Sequence, residues 1–185
     1  ETRYVFLEQN RLAERFAALP AGGRLVIGET GFGTGLNFLC AWQLFEQQAV
    51  TGARLHFVSV EKYPLNKADL QRALNLWPEL APYAEQLLAQ YVALHPGFQR
   101  LVFAGGRIVL TLLIGDALEL LPTAEPADLI FVDLYTDVGP GVGHLAWTFL
   151  ENCQKKLNPG GWLVINQWAT DDGKPLGAAL LRGLY

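Results

Sequence analysis

The chain has 185 residues, 51% of them hydrophobic and 17% charged, with a formal net charge of −4. That composition excludes a disordered or collagen-like chain, and the length suits one domain on the usual scale of about 100–200 residues. The dispersed Lys and Arg lack the basic surplus of a self-sufficient nucleic-acid binder, no apolar run reaches the roughly 18 residues of a membrane span, and Glu1-Thr2-Arg3-Tyr4 does not open a signal peptide. A cytoplasmic setting is expected, and the absence of any Met, an initiator included, is consistent with a fragment.

Residues 1–23 read as a lead-in segment and 24–185 as a single core. Arg24 to Ile27 is a short buried-strand run, followed by the glycine-rich stretch Gly28 to Gly35 and then by Leu36 to Gln48 at helical spacing. Leu55 to Val60 is a second strand ending in Glu61-Lys62-Tyr63-Pro64, where Pro64 bars direct continuation into the helix expected over about 66–76. After Trp77-Pro78 a further helix is expected toward His95. Arg100 to Phe103 and Arg107 to Ile114 flank Gly105-Gly106 and read as a hairpin whose second arm ends in Gly115-Asp116. Ala127 to Val132 makes another strand, ending at Asp133. It is followed by a Gly- and Pro-rich loop from Leu134 to Gly143 and a helix over about 144–157. Asn158-Pro159-Gly160-Gly161 reads as a helix stop and turn, Trp162 to Gln167 as the last strand, and Leu176 to Gly183 as a final helical piece. Strands alternating with helices predict an α/β domain, a parallel sheet with helices on both faces.

Two cysteines, Cys40 and Cys153, lie in separate apolar segments without CxxC spacing, so neither a disulfide framework nor a zinc site is expected. His56, His95 and His144 share no metal-ligand spacing, and no catalytic metal is expected. Ser59 is the only serine and sits within a strand, away from any nucleophile elbow, which removes serine-hydrolase chemistry.

The strongest motif is Glu29-x-Gly31-x-Gly33-x-Gly35 between a strand and a helix, where glycines let the backbone approach a ligand and pack the helix on the sheet. Glu61, Asp116 and Asp133 each close a strand, so all three project at the carboxyl edge where open α/β sheets bind ligands. A carboxylate after the second strand suits both ribose hydroxyls, and one after the hairpin suits an adenine amino group. Dinucleotide folds carry GxGxxG, whereas this loop reads GxGxG and passes directly into Leu36-Asn37-Phe38, which favours S-adenosylmethionine over NAD.

Glu1 to Leu7, Gly31 to Phe38, Leu74 to Leu80 and Gly115 to Pro122 together resemble the methyltransferase domain of the MnmC family, the bifunctional tRNA wobble-uridine modification proteins. The resemblance covers about two thirds of the chain. It implies a Rossmann-like class I S-adenosylmethionine-dependent methyltransferase fold that methylates the 5-aminomethyl group of 2-thiouridine in tRNA. It also implies a partner domain, an FAD-dependent oxidase, that nothing here encodes. It puts the methionine end of the cofactor near Glu29, Gly31, Phe32, Gly33 and Gly35, and the ribose at Glu61 with Lys62 and Tyr63 beside it. Adenine falls near Gly115, Asp116 and Ala117, and the catalytic-side acid at Asp133. Asp133 would orient the acceptor amine, with Tyr135 completing the wall. Tyr63, Trp147 and Trp168 are candidates for stacking on an extruded base.

The last third departs from that pattern. The stretch Asp133 to His144, with Leu157 to Trp168, looks more like spermidine-synthase-like proteins, which use decarboxylated S-adenosylmethionine on the same fold. An aminopropyl or small-amine transferase is therefore an alternative, with Asp133 and Asp137 lining an acidic pocket. A non-catalytic adenosyl-binding domain is a third reading. The fold would be truncated after the fifth parallel strand, leaving that strand as an exposed edge. A tRNA methyltransferase predicts a locally basic rim at the carboxyl edge.

Overall fold

A computed structural model of the chain describes residues 2–92, 95–132 and 143–165. Six strands form one sheet: β1 (Arg24–Thr30), β2 (Arg54–Glu61), β3 (Gly97–Phe103), β4 (Ile108–Ile114), β5 (Ala127–Val132) and β6 (Leu157–Ile165). The helices are α1 (Leu12–Ala17), α2 (Leu36–Gln48), α3 (Lys67–Leu74), α4 (Ala81–Gln90), α5 (Ala117–Leu120) and α6 (Gly143–Lys155). Strand order is β3-β4-β2-β1-β5-β6, with every neighbouring pair parallel except the β3–β4 hairpin. Chain order runs outward from β1 through β2 to β4 on one side and from β5 to β6 on the other, so direction switches between β1 and β5. That switch point is where ligands settle in open α/β sheets.

Alternation along the strands divides the core in two. Leu25, Ile27, Leu55, Phe57 and Phe131 face a large cluster built with α1, α2, α3 and α4, whereas Val26, Val58, Ile130 and Val132 face a smaller one closed by Leu121 and by Phe149, Leu150 and Cys153 of α6. The lead-in is part of the main cluster. A π-helical turn over Arg3–Glu8 and α1 bury Phe6, Leu7, Leu12 and Phe16, with Phe6 centred 5.0 Å from Phe131 and Phe16 edge-on to Phe45 at 5.1 Å. Burial of each such side chain contributes about 1.5–3 kcal/mol, enough to hold an otherwise short helix in place.

Four boundaries differ from the sequence expectation, the first being β1, which was expected to end at Ile27 and runs on through Gly28 to Thr30. The helix expected to reach His95 stops at Gln90, because Tyr91 leaves helical geometry (ψ 107°) and buries its ring, its hydroxyl donating to the Leu65 carbonyl at 2.8 Å. The hairpin is longer in its first arm than expected, pairing Gly97 with Ile114, and turns through Ala104–Gly106. Asn158-Pro159-Gly160-Gly161 is no free turn; it lies inside β6 as an irregularity, the register jumping from Ala127–Leu157 to Leu129–Trp162. Proline has no N–H to give the ladder and so accommodates such a bulge. Asp128 fills the gap, accepting from Asn158 Nδ2 at 2.7 Å and from the Val26 N–H at 2.8 Å.

His56 is a buried polar residue at the amino end of β2. Its Nε2 meets Thr111 Oγ1 at 2.9 Å and its Nδ1 faces the Glu125 carboxylate, which also pairs with Arg24 at 3.1 Å. Burial holds the imidazole below its ordinary value; Glu125 opposes that shift, while Arg100 and Arg24 add to it. A base with a lowered folded-state pKa contributes stability that is complete above about pH 6.5 and is lost as pH falls into the window below it. Unfolding free energy measured by urea titration should therefore drop on acidification from neutrality. His56→Gln should flatten that part of the profile, and an unaltered slope in the variant would contradict it.

Candidate active site

The carboxyl ends of β1, β2 and β4 bring most of the expected residues to one edge. The backbone leaves β1 through Gly31 (φ 88°), whose N–H donates to the Val60 carbonyl at 2.8 Å, then through Gly33 (φ 52°) into Gly35 (φ 69°) at the head of α2. Only glycine takes these left-handed conformations without strain. At Gly35 there is a second constraint: a Cβ would lie 2.6 Å from the Phe32 ring. At Gly33 the Cβ direction is open, with nothing within 4 Å, so this face of the loop can receive a ligand.

Glu61, the last residue of β2, spans two loops. Its Oε2 accepts from the Gly33 N–H at 2.9 Å and its Oε1 from the Tyr63 N–H at 2.6 Å. The expected convergence of the glycine loop with the β2 carboxylate is thus present as a direct contact. From β4, the Gly115 N–H donates to the Glu61 carbonyl at 3.0 Å, and Asp116 caps α5 by accepting from the Leu118 N–H at 2.9 Å, with Ala117 opening that helix. Lys62 Nζ lies 2.8 Å from Asp116 Oδ2 and 5.6 Å from the centre of the Tyr63 ring, itself 78% exposed. The ammonium and the Leu118 N–H hold the Asp116 carboxyl below its usual range, and Asp116 in turn raises Lys62.

Two expected loop residues point inward. Glu29 is buried, with Oε1 accepting from Asn37 Nδ2 at 2.9 Å and Oε2 from Ser59 Oγ at 2.7 Å, so it ties β1 to β2 and α2 beneath the loop. Phe32 is also buried and packs against the main core. Asn37 and Ser59 were not singled out from sequence as part of the site; a polar residue on the buried side of α2 and the lone serine at the end of a strand were the signals. Thr30 was missed as well. Its Oγ1, at the tip of β1 next to Val60 and Val132, is buried without a hydrogen-bond partner. Asp133, Tyr135, Asp137, Trp168 and the side chain of Trp147 lie outside the described residues.

These features suit an adenosyl cofactor. The open face at Gly33 and the carboxylate beside it offer a cradle with an acceptor, and the orphaned Thr30 hydroxyl is a polar atom that a bound group can satisfy. The rim is mixed in charge: among the cations after β2, Lys62 is paired with Asp116 and Arg72 with Asp69, while no ion pair is formed by Lys67 among the described residues. No group of three His, Cys, Asp or Glu able to hold a metal occurs among the described residues, and no helix among them is long and apolar enough to cross a membrane.

Residues 78–138 match the family described as S-adenosyl-L-methionine-dependent methyltransferase. The chain is 76% identical over 134 residues to the tRNA 5-methylaminomethyl-2-thiouridine biosynthesis bifunctional protein MnmC of Pseudomonas fluorescens strain Pf0-1, a match covering 72% of this chain and 20% of that protein. MnmC of Pseudomonas aeruginosa strain UCBPP-PA14 is 73% identical over the same shares of the two chains. The chain thus spans about a fifth of the length of these relatives. Among solved structures, MnmC2 from Aquifex aeolicus superposes with a TM-score of 0.64 at 22% identity, covering 89% of this chain and 48% of that one. A class I S-adenosylmethionine-dependent methyltransferase from Listeria monocytogenes, described as putative, gives a TM-score of 0.53 at 16% identity over 96% of this chain and 48% of that one. The chain thus carries a match to the S-adenosyl-L-methionine-dependent methyltransferase family across its centre and similarity to MnmC proteins over 72% of its length, on a fold shared with class I methyltransferases.

Proposed function

We propose that the domain binds S-adenosylmethionine at the carboxyl edge and methylates the aminomethyl nitrogen of a wobble uridine in tRNA. The observation that carries the reading is the 2.9 Å contact between Glu61 and the Gly33 N–H, which joins a loop fit for the methionine end to a carboxylate fit for a ribose. When bound, the cofactor supplies an electrophilic methyl on a sulfonium. The chain's own residues then have distinct tasks. Gly31, Gly33 and Gly35 give backbone access, while Glu29 and Phe32 brace that loop from below. Glu61 retains lone pairs for ribose hydroxyls after receiving its two backbone donors, and Asp116 with Gly115 and Ala117 meets the adenine. Asp133 orients the acceptor amine and receives its proton, and Tyr135 walls the site. Tyr63, exposed at the rim, is placed to stack on a base. Methyl transfer by in-line displacement depends chiefly on such positioning.

The relatives are named for tRNA 5-methylaminomethyl-2-thiouridine biosynthesis, which supports this substrate class, and the resemblance to the MnmC family implies an FAD-dependent oxidase as a partner domain. The test has two stages: calorimetric titration of the full chain with S-adenosylhomocysteine, then nucleoside mass spectrometry on tRNA lacking the modification. Saturable binding and a methylated wobble nucleoside are expected. Binding without methylation of that nucleoside overturns the substrate, and methylation or aminopropylation of free polyamines in its place favours the spermidine-synthase-like alternative. Within the same titration, Glu61→Ala should cost about 1.5–3 kcal/mol of affinity, the worth of hydrogen bonds to a charged acceptor. An unchanged dissociation constant would remove Glu61 from the ribose.

A further inference from the structure

Asp116 stands on a helix of one turn, α5, at a position whose side chain is 35% exposed. Such a carboxylate would ordinarily sample several rotamers. Here both oxygens are held: Oδ1 by the Leu118 N–H at 2.9 Å and Oδ2 by Lys62 Nζ at 2.8 Å. Lys62 comes from the loop after β2, and the backbone bond from Gly115 N–H to the Glu61 carbonyl at 3.0 Å ties the same two strand tips. The pair is therefore a second link between the carboxylate read here as facing ribose and the one read as facing adenine. An ionised carboxylate has roughly four lone-pair sites, so two remain after Lys62 and Leu118 are served. Those sites accept from an exocyclic amino group and repel a carbonyl oxygen.

We propose that Lys62 is a positioning residue that sets the orientation of the Asp116 carboxylate, and that the pair selects a 6-amino purine over a 6-oxo purine. The proposal rests on the cofactor reading above and deepens it. Lys62 itself need not touch the base; it works through Asp116. Its own side chain is 52% exposed, so the effect is of the size measured for solvent-accessible pairs and is reduced by salt.

The experiment compares S-adenosylhomocysteine with S-inosylhomocysteine, which differs by an oxo group in place of the amino group, in calorimetric titrations of the full chain. Wild type should bind the adenosyl compound more tightly. Lys62→Met should weaken the adenosyl compound by about two- to fivefold at low salt and leave the inosyl compound unchanged, with Lys62→Arg restoring the difference. In an Asp116→Asn background, Lys62→Met should have no further effect, since the two substitutions act on one interaction. Thermal unfolding of each variant checks that the fold is retained, and Asp116→Asn alone should erase most of the preference if Lys62→Met fails to fold. Equal weakening of both ligands by Lys62→Met, or no weakening of either, overturns the role of Lys62 while leaving the cofactor site standing. Failure of wild type to bind either compound overturns the cofactor reading, and this proposal with it.

Discussion

Asp133→Asn should slow methyl transfer by about 10²–10⁴-fold, the range over which a positioned acid or base acts. In sequence the residue directly follows Val132, the last residue of β5. An amine attacks a sulfonium methyl only when its lone pair is free, and in the function proposed above the Asp133 carboxylate both aligns the nitrogen and takes the proton it sheds. Asparagine keeps the size and loses the charge. Single-turnover rates with saturating cofactor and unmodified tRNA read the step directly. A rate within a factor of about two of wild type would show that positioning of the amine lies elsewhere, because it falls far below the expected loss.

Trp42→Ala should cost about 3–5 kcal/mol of stability, the range for truncating a buried Trp. Trp42 is fully buried in the middle of α2, with Phe103 4.7 Å, Tyr83 5.2 Å and Phe38 5.7 Å away between ring centres. Its Nε1 donates to Glu46 Oε1 at 2.9 Å, so truncation removes a hydrogen bond as well as opening a cavity. The same helix begins at Gly35 and carries Asn37, which holds Glu29 beneath the glycine loop. Loosening α2 should therefore weaken cofactor binding by a residue that never approaches the ligand. Urea unfolding and a cofactor titration on the same preparation test both parts. A loss below about 1 kcal/mol would mean that the aromatic cluster does not hold the helix, since truncations at such sites cost several times that.

The sheet and its ligand edge were readable from the chain because each strand ends in a chemically distinct residue. Val60 gives way to Glu61 and Ile114 to Gly115-Asp116, and periodicity places these at the same end of a parallel sheet; the end of β1 was not legible, because Gly28 reads as the start of the loop while the strand runs on to Thr30. Periodicity also gave α2 its bounds and the hairpin its two arms. What it does not carry is the direction of individual side chains within a motif. Glu29 and Phe32 share the glycine motif with residues facing the cradle, yet both turn inward, Glu29 toward Ser59 and Asn37 and Phe32 under Gly35. The early end of α4 was hidden because Tyr91 fits a helical apolar pattern, and only its tertiary bond to Leu65 takes it out of the helix. The run Asn158 to Gly161 has the composition of a turn and is drawn into β6 by Asp128, a contact between segments 30 residues apart. Locally such a stretch prefers to bend, and the neighbouring strand decides otherwise.

Amide resonances give the most direct test of where the cofactor sits. With the full chain labelled with nitrogen-15 and titrated with S-adenosylhomocysteine, the N–H signals of Gly31, Gly33, Gly35, Tyr63 and Gly115 should move together and saturate with one dissociation constant. Gly33 is the critical one, since its N–H already bonds the Glu61 carboxylate at 2.9 Å. Signals at these glycines that stay still while others elsewhere on the molecule shift would contradict a cofactor site at this edge.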